Sequence, residues 1–186
     1  MSTTVLVVVG LLVVAFAYIF FTQRSFVSLE EKMNNAFSQI SVQTKSRWDA
    51  LVNLFEMTKQ YASYEHDTLQ DVVASRKGNV TSPEQLAEAD KAAGQVLARI
   101  NAVAEQYPQL KADGVFRDTM AKISSYEENV RLSRMVYNDC VTKFNINVRQ
   151  WPSSMVASML HFSKHELLPE DESTSAAPSA ADIFKK

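Results

Sequence analysis

From Val5 to Phe21 the chain has no polar period at all, only valine, leucine, isoleucine, phenylalanine, tyrosine, alanine and one glycine. Crossing a hydrocarbon layer of roughly 30 Å takes about 20 apolar residues in a helix rising 1.5 Å per residue. Counted out to Thr3 and Thr22 the run is just long enough. A helix in the core of a soluble domain keeps a polar face, so the run is expected to insert in a bilayer. Beyond it the pattern changes to spacings of three and four: Phe26, Leu29, Met33, Ala36, Phe37 and Ile40, then Trp48, Leu51, Phe55, Thr58 and Ala62. That is one buried stripe on a long helix, with a shift of phase. Between Ile40 and Trp48 stand Gln43, Thr44, Lys45 and Arg47. Either the stripe rotates there, or polar groups enter the interface and must be paired.

Neither glycine nor proline occurs between Gly10 and Gly78, so the spanning helix is expected to run directly into the first soluble one. Leu69, Val72 and Val73 carry helical character to about Lys77, with a bend near His66 and Asp67. Ser82, Pro83 and Gln85 then supply an N-cap, a proline at the first helical position and a capping-box partner. A second long helix follows on Leu86, Ala93, Val96, Ile100, Val103 and Tyr107. Its small residues Ala89, Ala92, Ala93 and Gly94 would let a neighbour approach closely. Pro108 is expected to stop it, with Gln109 to Gly114 forming the turn.

A third helix spans about Val115 to Gln150, burying Phe116, Met120, Ile123, Val130, Tyr137, Val141, Phe144, Val148 and Trp151. Pro152 ends it, and Ser153 or Ser154 is expected to cap a short fourth helix holding Met155, Val156, Met159, Leu160 and Phe162. No stretch alternates with period two. The expected fold is therefore all-α: an N-terminal transmembrane anchor (residues 1–25), an elongated antiparallel three- to four-helix bundle (26–167) and a disordered acidic tail (168–186).

Composition narrows the function classes. About 160 residues remain beyond the anchor, enough for one domain with a real core. Lysines and arginines are scattered among acids, with no basic block longer than Arg76-Lys77, so nucleic acid is not an expected partner. The single Cys140 can form neither an intramolecular disulfide nor a cysteine metal site, and reads as a small core residue. Ala15-Phe16-Ala17 resembles a signal-peptidase site. No basic residue precedes the run, however, and it continues through Ile19, Phe20 and Phe21, so an uncleaved anchor is expected. Arg24 and Lys32 on its C-terminal side tilt the soluble part toward the cytoplasm.

His161 and His165 have the i, i+4 spacing of a helical metal pair, beside Glu166, and Glu65-His66-Asp67 forms a second small cluster. Nothing closes either coordination shell, so the pair reads as a solvated helix end and no metal is expected. Glu65, His66 and Cys140 could in principle converge for nucleophilic chemistry, but no strained nucleophile turn and no phosphate cradle is present. No catalytic, cofactor-binding or metal residue is assigned. Gln39, Gln43, Asn53, Asn138 and Asn145 are poor choices for a plain hydrophobic seam. They either fix helix register, face water, or form a polar seam for another helix.

Several segments, in order, resemble the LemA family of bacterial proteins: 36-AFSQISVQ-43, 51-LVNL-54, Tyr61-Ala62 with Glu65-His66, 102-AVAEQYPQLKA-112, and 137-YNDCV-141 with Asn145. The family's usual proline before the Asn-Leu segment is missing at Ala50-Leu51-Val52, and Trp151-Pro152 stands where Phe-Pro is more common. The resemblance implies a membrane anchor on a long helical bundle and no established enzymatic activity. The family includes a magnetosome-associated branch, to which nothing in this chain specifically assigns it. The functional expectation is a non-enzymatic, membrane-anchored scaffold. Its partners would be the bilayer through Val5 to Phe21, other membrane or membrane-associated proteins, and further copies of itself. An accessory subunit of a membrane protease or envelope-stress system is the alternative.

Overall fold

The computed structural model describes residues 2–59, 61 and 80–169. Five helices are present among them: α1 (Thr3–Thr58), α2 (Pro83–Gln106), α3 (Pro108–Ala112), α4 (Gly114–Arg149) and α5 (Ser153–Met159). No strand occurs among the described residues. The expected extension of the first helix to Lys77, its bend, the cluster around His66 and the acidic tail beyond Pro169 lie outside them. The chain divides into two compact units, one of Met1–Glu30 with Tyr137–Lys186, the other of Glu31–Val136.

α1 runs for 56 residues without interruption. A buried line runs through Phe26, Leu29, Met33, Ala36, Ile40, Thr44, Arg47, Leu51, Leu54 and Thr58 at steps of three or four, and Trp48, Ala50 and Phe55, also buried, widen it beyond Arg47. The stripe therefore does not rotate between Ile40 and Trp48; polar side chains enter it.

In the Glu31–Val136 unit, Trp48, Leu51, Leu54 and Phe55 of α1 pack with Ala93, Val96, Ile100, Val103 and Ala104 of α2, Leu110 of α3, and Phe116 and Ile123 of α4. Burying each large side chain of this set contributes about 1.5–3 kcal/mol. α2 begins as expected: Ser82 Oγ accepts from the Gln85 amide at 3.3 Å, and Pro83 opens the helix. Gln85, however, reaches the Thr81 N–H at 2.9 Å rather than that of Ser82. Gly94 is exposed and has nothing within 4 Å of where a Cβ would stand, so it permits no close approach. The turn expected after Pro108 is itself helical, because Pro108 begins α3, whose Leu110 is buried. Asp113 then caps α4, accepting from the Phe116 amide at 2.9 Å, a signal readable as an aspartate one residue before the helix.

Charge also enters this unit. Asp90 of α2 accepts from Arg47 Nη2 of α1 at 2.5 Å through one carboxylate oxygen, and from Arg134 Nη2 of α4 through the other. Arg47 and Arg134 are buried, while Asp90 keeps a small exposed edge. One carboxylate thus fixes the register of three helices. Among the described residues Thr44 Oγ1, Arg47 Nε and Arg134 Nε make no hydrogen bond. With two cations on one anion, loss of the anion is expected to be severe. Asp90→Asn should lower the unfolding free energy by about 3–5 kcal/mol, because two buried guanidinium groups lose the carboxylate they share. Replacing all three side chains together by Met, Leu and Met should cost much less. Denaturant midpoints in detergent, compared at unchanged m, check both outcomes.

Candidate functional site

In the unit formed by Met1–Glu30 and Tyr137–Lys186, the packing starts where the apolar run ends. Phe26 of α1 stacks on Phe162, ring centroids 4.7 Å apart and 23° between planes, and meets Phe144 of α4 edge-on at 5.1 Å. Phe144 and Phe162 are themselves perpendicular at 5.9 Å. The three rings form the inner wall of this unit, with Cys140 and Val141 buried on α4. Cys140 is a core residue here.

α5 ends in a Schellman turn. His161 adopts φ 60°, its amide donates to Ser158 O at 3.4 Å, and the Phe162 amide donates to Ala157 O at 3.0 Å. The chain then continues as a non-helical strap through Pro169. His161 and His165 consequently do not share a helix face, which removes the geometry that made their spacing suggestive. His165 turns inward instead: its ring lies 4.8 Å from that of Phe144, and Nε2 stands 3.9 Å from Glu30 Oε1. Among the described residues no group of three or more His, Cys, Asp or Glu is gathered for a metal ion.

Two asparagines hold the strap. Asn145 Nδ2 donates to His165 O at 2.8 Å while its Oδ1 accepts from the His165 amide at 3.0 Å. Asn138 does the same to Leu168, at 3.0 and 2.9 Å. The spacing is metrically matched: seven helical residues rise about 10.5 Å, and three extended residues span about 10 Å. Each side-chain amide thereby replaces the missing partner strand for one residue, and Leu168 is buried. Of the polar residues singled out in the sequence, these two belong to the interior seam, whereas Gln39 and Asn53 are exposed and Gln43 is half-buried.

The α4–α5 corner departs from expectation. α4 stops at Arg149 and the chain turns through Pro152, so the stripe does not reach Trp151, which is 76% exposed. Pro152 occupies the N-cap of α5 and makes no side-chain cap bond. Ser153 Oγ donates instead toward Asn147 O at 2.7 Å and Gln150 O at 2.9 Å, serving carbonyls at the end of α4. Met155 and Met159 are exposed, and Val156 and Ala157 form the buried side. Burial pushes the Tyr137 hydroxyl above its ordinary pKa. The exposed pairs Arg131–Glu128 and Lys143–Asp139 lower the Glu128 carboxyl and raise the Lys143 ammonium through hydrogen bonds. Such pairs add little stability.

A helical bundle preceded by an apolar N-terminal helix segment without buried residues, with a strap clipped by paired asparagine amides, defines a helical protein bearing a candidate membrane span. The LemA family profile matches residues 36–181, and the chain belongs to the LemA family. It is similar to the magnetosome protein MamQ 2 of Paramagnetospirillum magneticum, 26% identical over 89% of this chain and 71% of that protein. MamQ of Magnetospirillum gryphiswaldense is 22% identical over 88% of this chain and 70% of its own length. Protein LemA of Metamycoplasma hominis is 28% identical over 70% of this chain and 61% of its own.

Asn145→Leu should leave the His165 amide and carbonyl without partners, a loss of about 1–3 kcal/mol in local opening. The expected readout is a roughly tenfold or larger gain in amide exchange at residues 165–168, with little change at Ile100. His161→Gly should be neutral or stabilising by up to about 1 kcal/mol, because glycine takes positive φ freely, whereas His161→Val should cost about 1–2 kcal/mol. Thermal unfolding of the two variants side by side checks the sign.

Proposed function

We propose that this chain is a single-pass, membrane-anchored scaffold or interaction protein that acts by holding a helical bundle at a membrane and engaging other proteins there, without catalysis of its own. The observation that carries the reading is α1. From Val5 to Phe16 it is apolar and exposed on every side, with none of the most apolar window buried, and the same helix then supplies the stripe on which the bundle packs. Each exposed Val, Leu or Phe would cost about 1.5–3 kcal/mol in water relative to an apolar medium. A bilayer removes that cost for all of them at once. The fitting partners are lipid along Val5 to Phe21, other membrane proteins, and a second copy of this chain. Arg24 and Lys32 favour the cytoplasmic side of the cell membrane for the bundle.

Support for a non-catalytic role comes from what the polar side chains do. Asp90, Arg47, Arg134, Asn138 and Asn145 all spend their hydrogen bonds on holding helices or the strap in place. In intact membranes the protein should resist alkaline extraction, and an amine-reactive crosslinker should capture either homo-oligomers or one reproducible partner. A protein that pellets with membranes yet stays monomeric and partnerless under crosslinking would contradict the scaffold reading.

A further inference from the structure

The helix directions within the Met1–Glu30 and Tyr137–Lys186 unit follow from four contacts. Along the strap, Phe162 meets Phe26 and His165 meets Glu30, so strap and α1 run the same way. Against α4, His165 pairs with Asn145 and Leu168 with Asn138, so strap and α4 run opposite ways. α4 is therefore antiparallel to α1, and its C-terminal end points toward the apolar run.

Phe26 and Phe144 are level with each other. Five residues further along α4, a rise of about 7.5 Å, the helix ends at Arg149, level with Phe21 on α1. The chain returns to the level of Phe26 at Phe162. The α4–α5 corner thus begins and ends on the side of the unit where the apolar run gives way to Thr22, Gln23, Arg24 and Ser25. Ile19 and Thr22, on the same stripe as Phe26, are half-buried, which places packed side chains at this height.

The chemistry of the corner suits that height. No charged residue occurs from 150 to 160. Trp151, Met155 and Met159, four residues apart in turn, expose 76%, 65% and 55% of their surface. Arg149 and Lys164, both exposed, flank the segment. An exposed tryptophan and an uncharged helix face bordered by cations, at the depth where a membrane helix leaves the hydrocarbon, match the boundary between headgroups and acyl chains. We infer that the α4–α5 corner is a second membrane contact: Trp151, Met155 and Met159 seat in the headgroup–acyl boundary of the leaflet from which α1 emerges. This inference rests on α1 spanning the bilayer. With the corner seated, the unit meets the membrane at two points, so α1 cannot swivel freely about its own axis.

The test uses the full chain in phosphatidylcholine vesicles whose acyl chains carry bromine either near the headgroup or near the bilayer centre. Tryptophan emission is recorded for the natural sequence and for W151A, and the difference is the signal of Trp151; the buried Trp48 cancels. The expected result is loss of most Trp151 emission to shallow bromine, much less to deep bromine, and little to aqueous iodide. Strong quenching by iodide with none by either bromine, in protein that still resists alkaline extraction, overturns the second contact while leaving the span intact. Quenching strongest from deep bromine overturns it too, since the corner would then lie in the hydrocarbon. Protein removed by alkaline extraction overturns the span, and the second contact with it. M155E/M159E provides an independent arm: the seated corner predicts a marked gain in iodide access to Trp151, and an unchanged iodide response overturns the proposal.

Discussion

The rest of the structure depends on one helix satisfying two solvents. Up to about Phe21, α1 presents apolar atoms in every direction; from Phe26 onward it presents them along one narrow stripe. A stripe buries only part of a helix surface, so helices must gather against it, and a bundle is the arrangement that does so. The all-round apolar segment has no such single stripe, which is what makes it a candidate membrane span.

Polar side chains fix which arrangement forms. A hydrophobic stripe by itself tolerates sliding by a turn, since one leucine fits much as another does. Asp90 between Arg47 and Arg134 tolerates no such slip: displacement by a turn, about 5.4 Å, would strand a buried guanidinium. In the other unit, Asn138 and Asn145 act similarly on an extended segment. Their two-point amide contacts recognise backbone rather than side chains, so they set register and direction while leaving the strap's sequence nearly free.

How far the sequence showed this depends on the range of the interaction. Local signals were legible: the apolar run, the Ser82-Pro83 start of α2, and the three-and-four spacing of α1 all express chemistry within a turn or two. The polar interval around Thr44 and Arg47 left two readings open. The deciding partners, Asp90 and Arg134, lie more than forty positions away in the chain and no periodicity points to them. Trp151 was misplaced because a stripe extrapolates only while the helix lasts, and α4 ends at Arg149. The spacing of His161 and His165, read as a solvated helix end, has no helical meaning either, since a left-handed His161 ends the helix before it. Ser153 looked like a cap for the helix after it and instead serves the helix before it. Backbone geometry, not residue type, made that choice.

The central claim is that the membrane run and the bundle stripe belong to one unbroken helix. Spin labels at Phe16 and Asn34, both exposed and eighteen residues apart on the same face, test it most directly when their separation is measured by pulsed electron paramagnetic resonance in lipid nanodiscs. One narrow distribution centred near about 27 Å, the helical rise over that interval, is the expected result. A broad distribution, or one centred well away from that value, would show that the chain breaks where the apolar run meets the bundle, and would contradict the account.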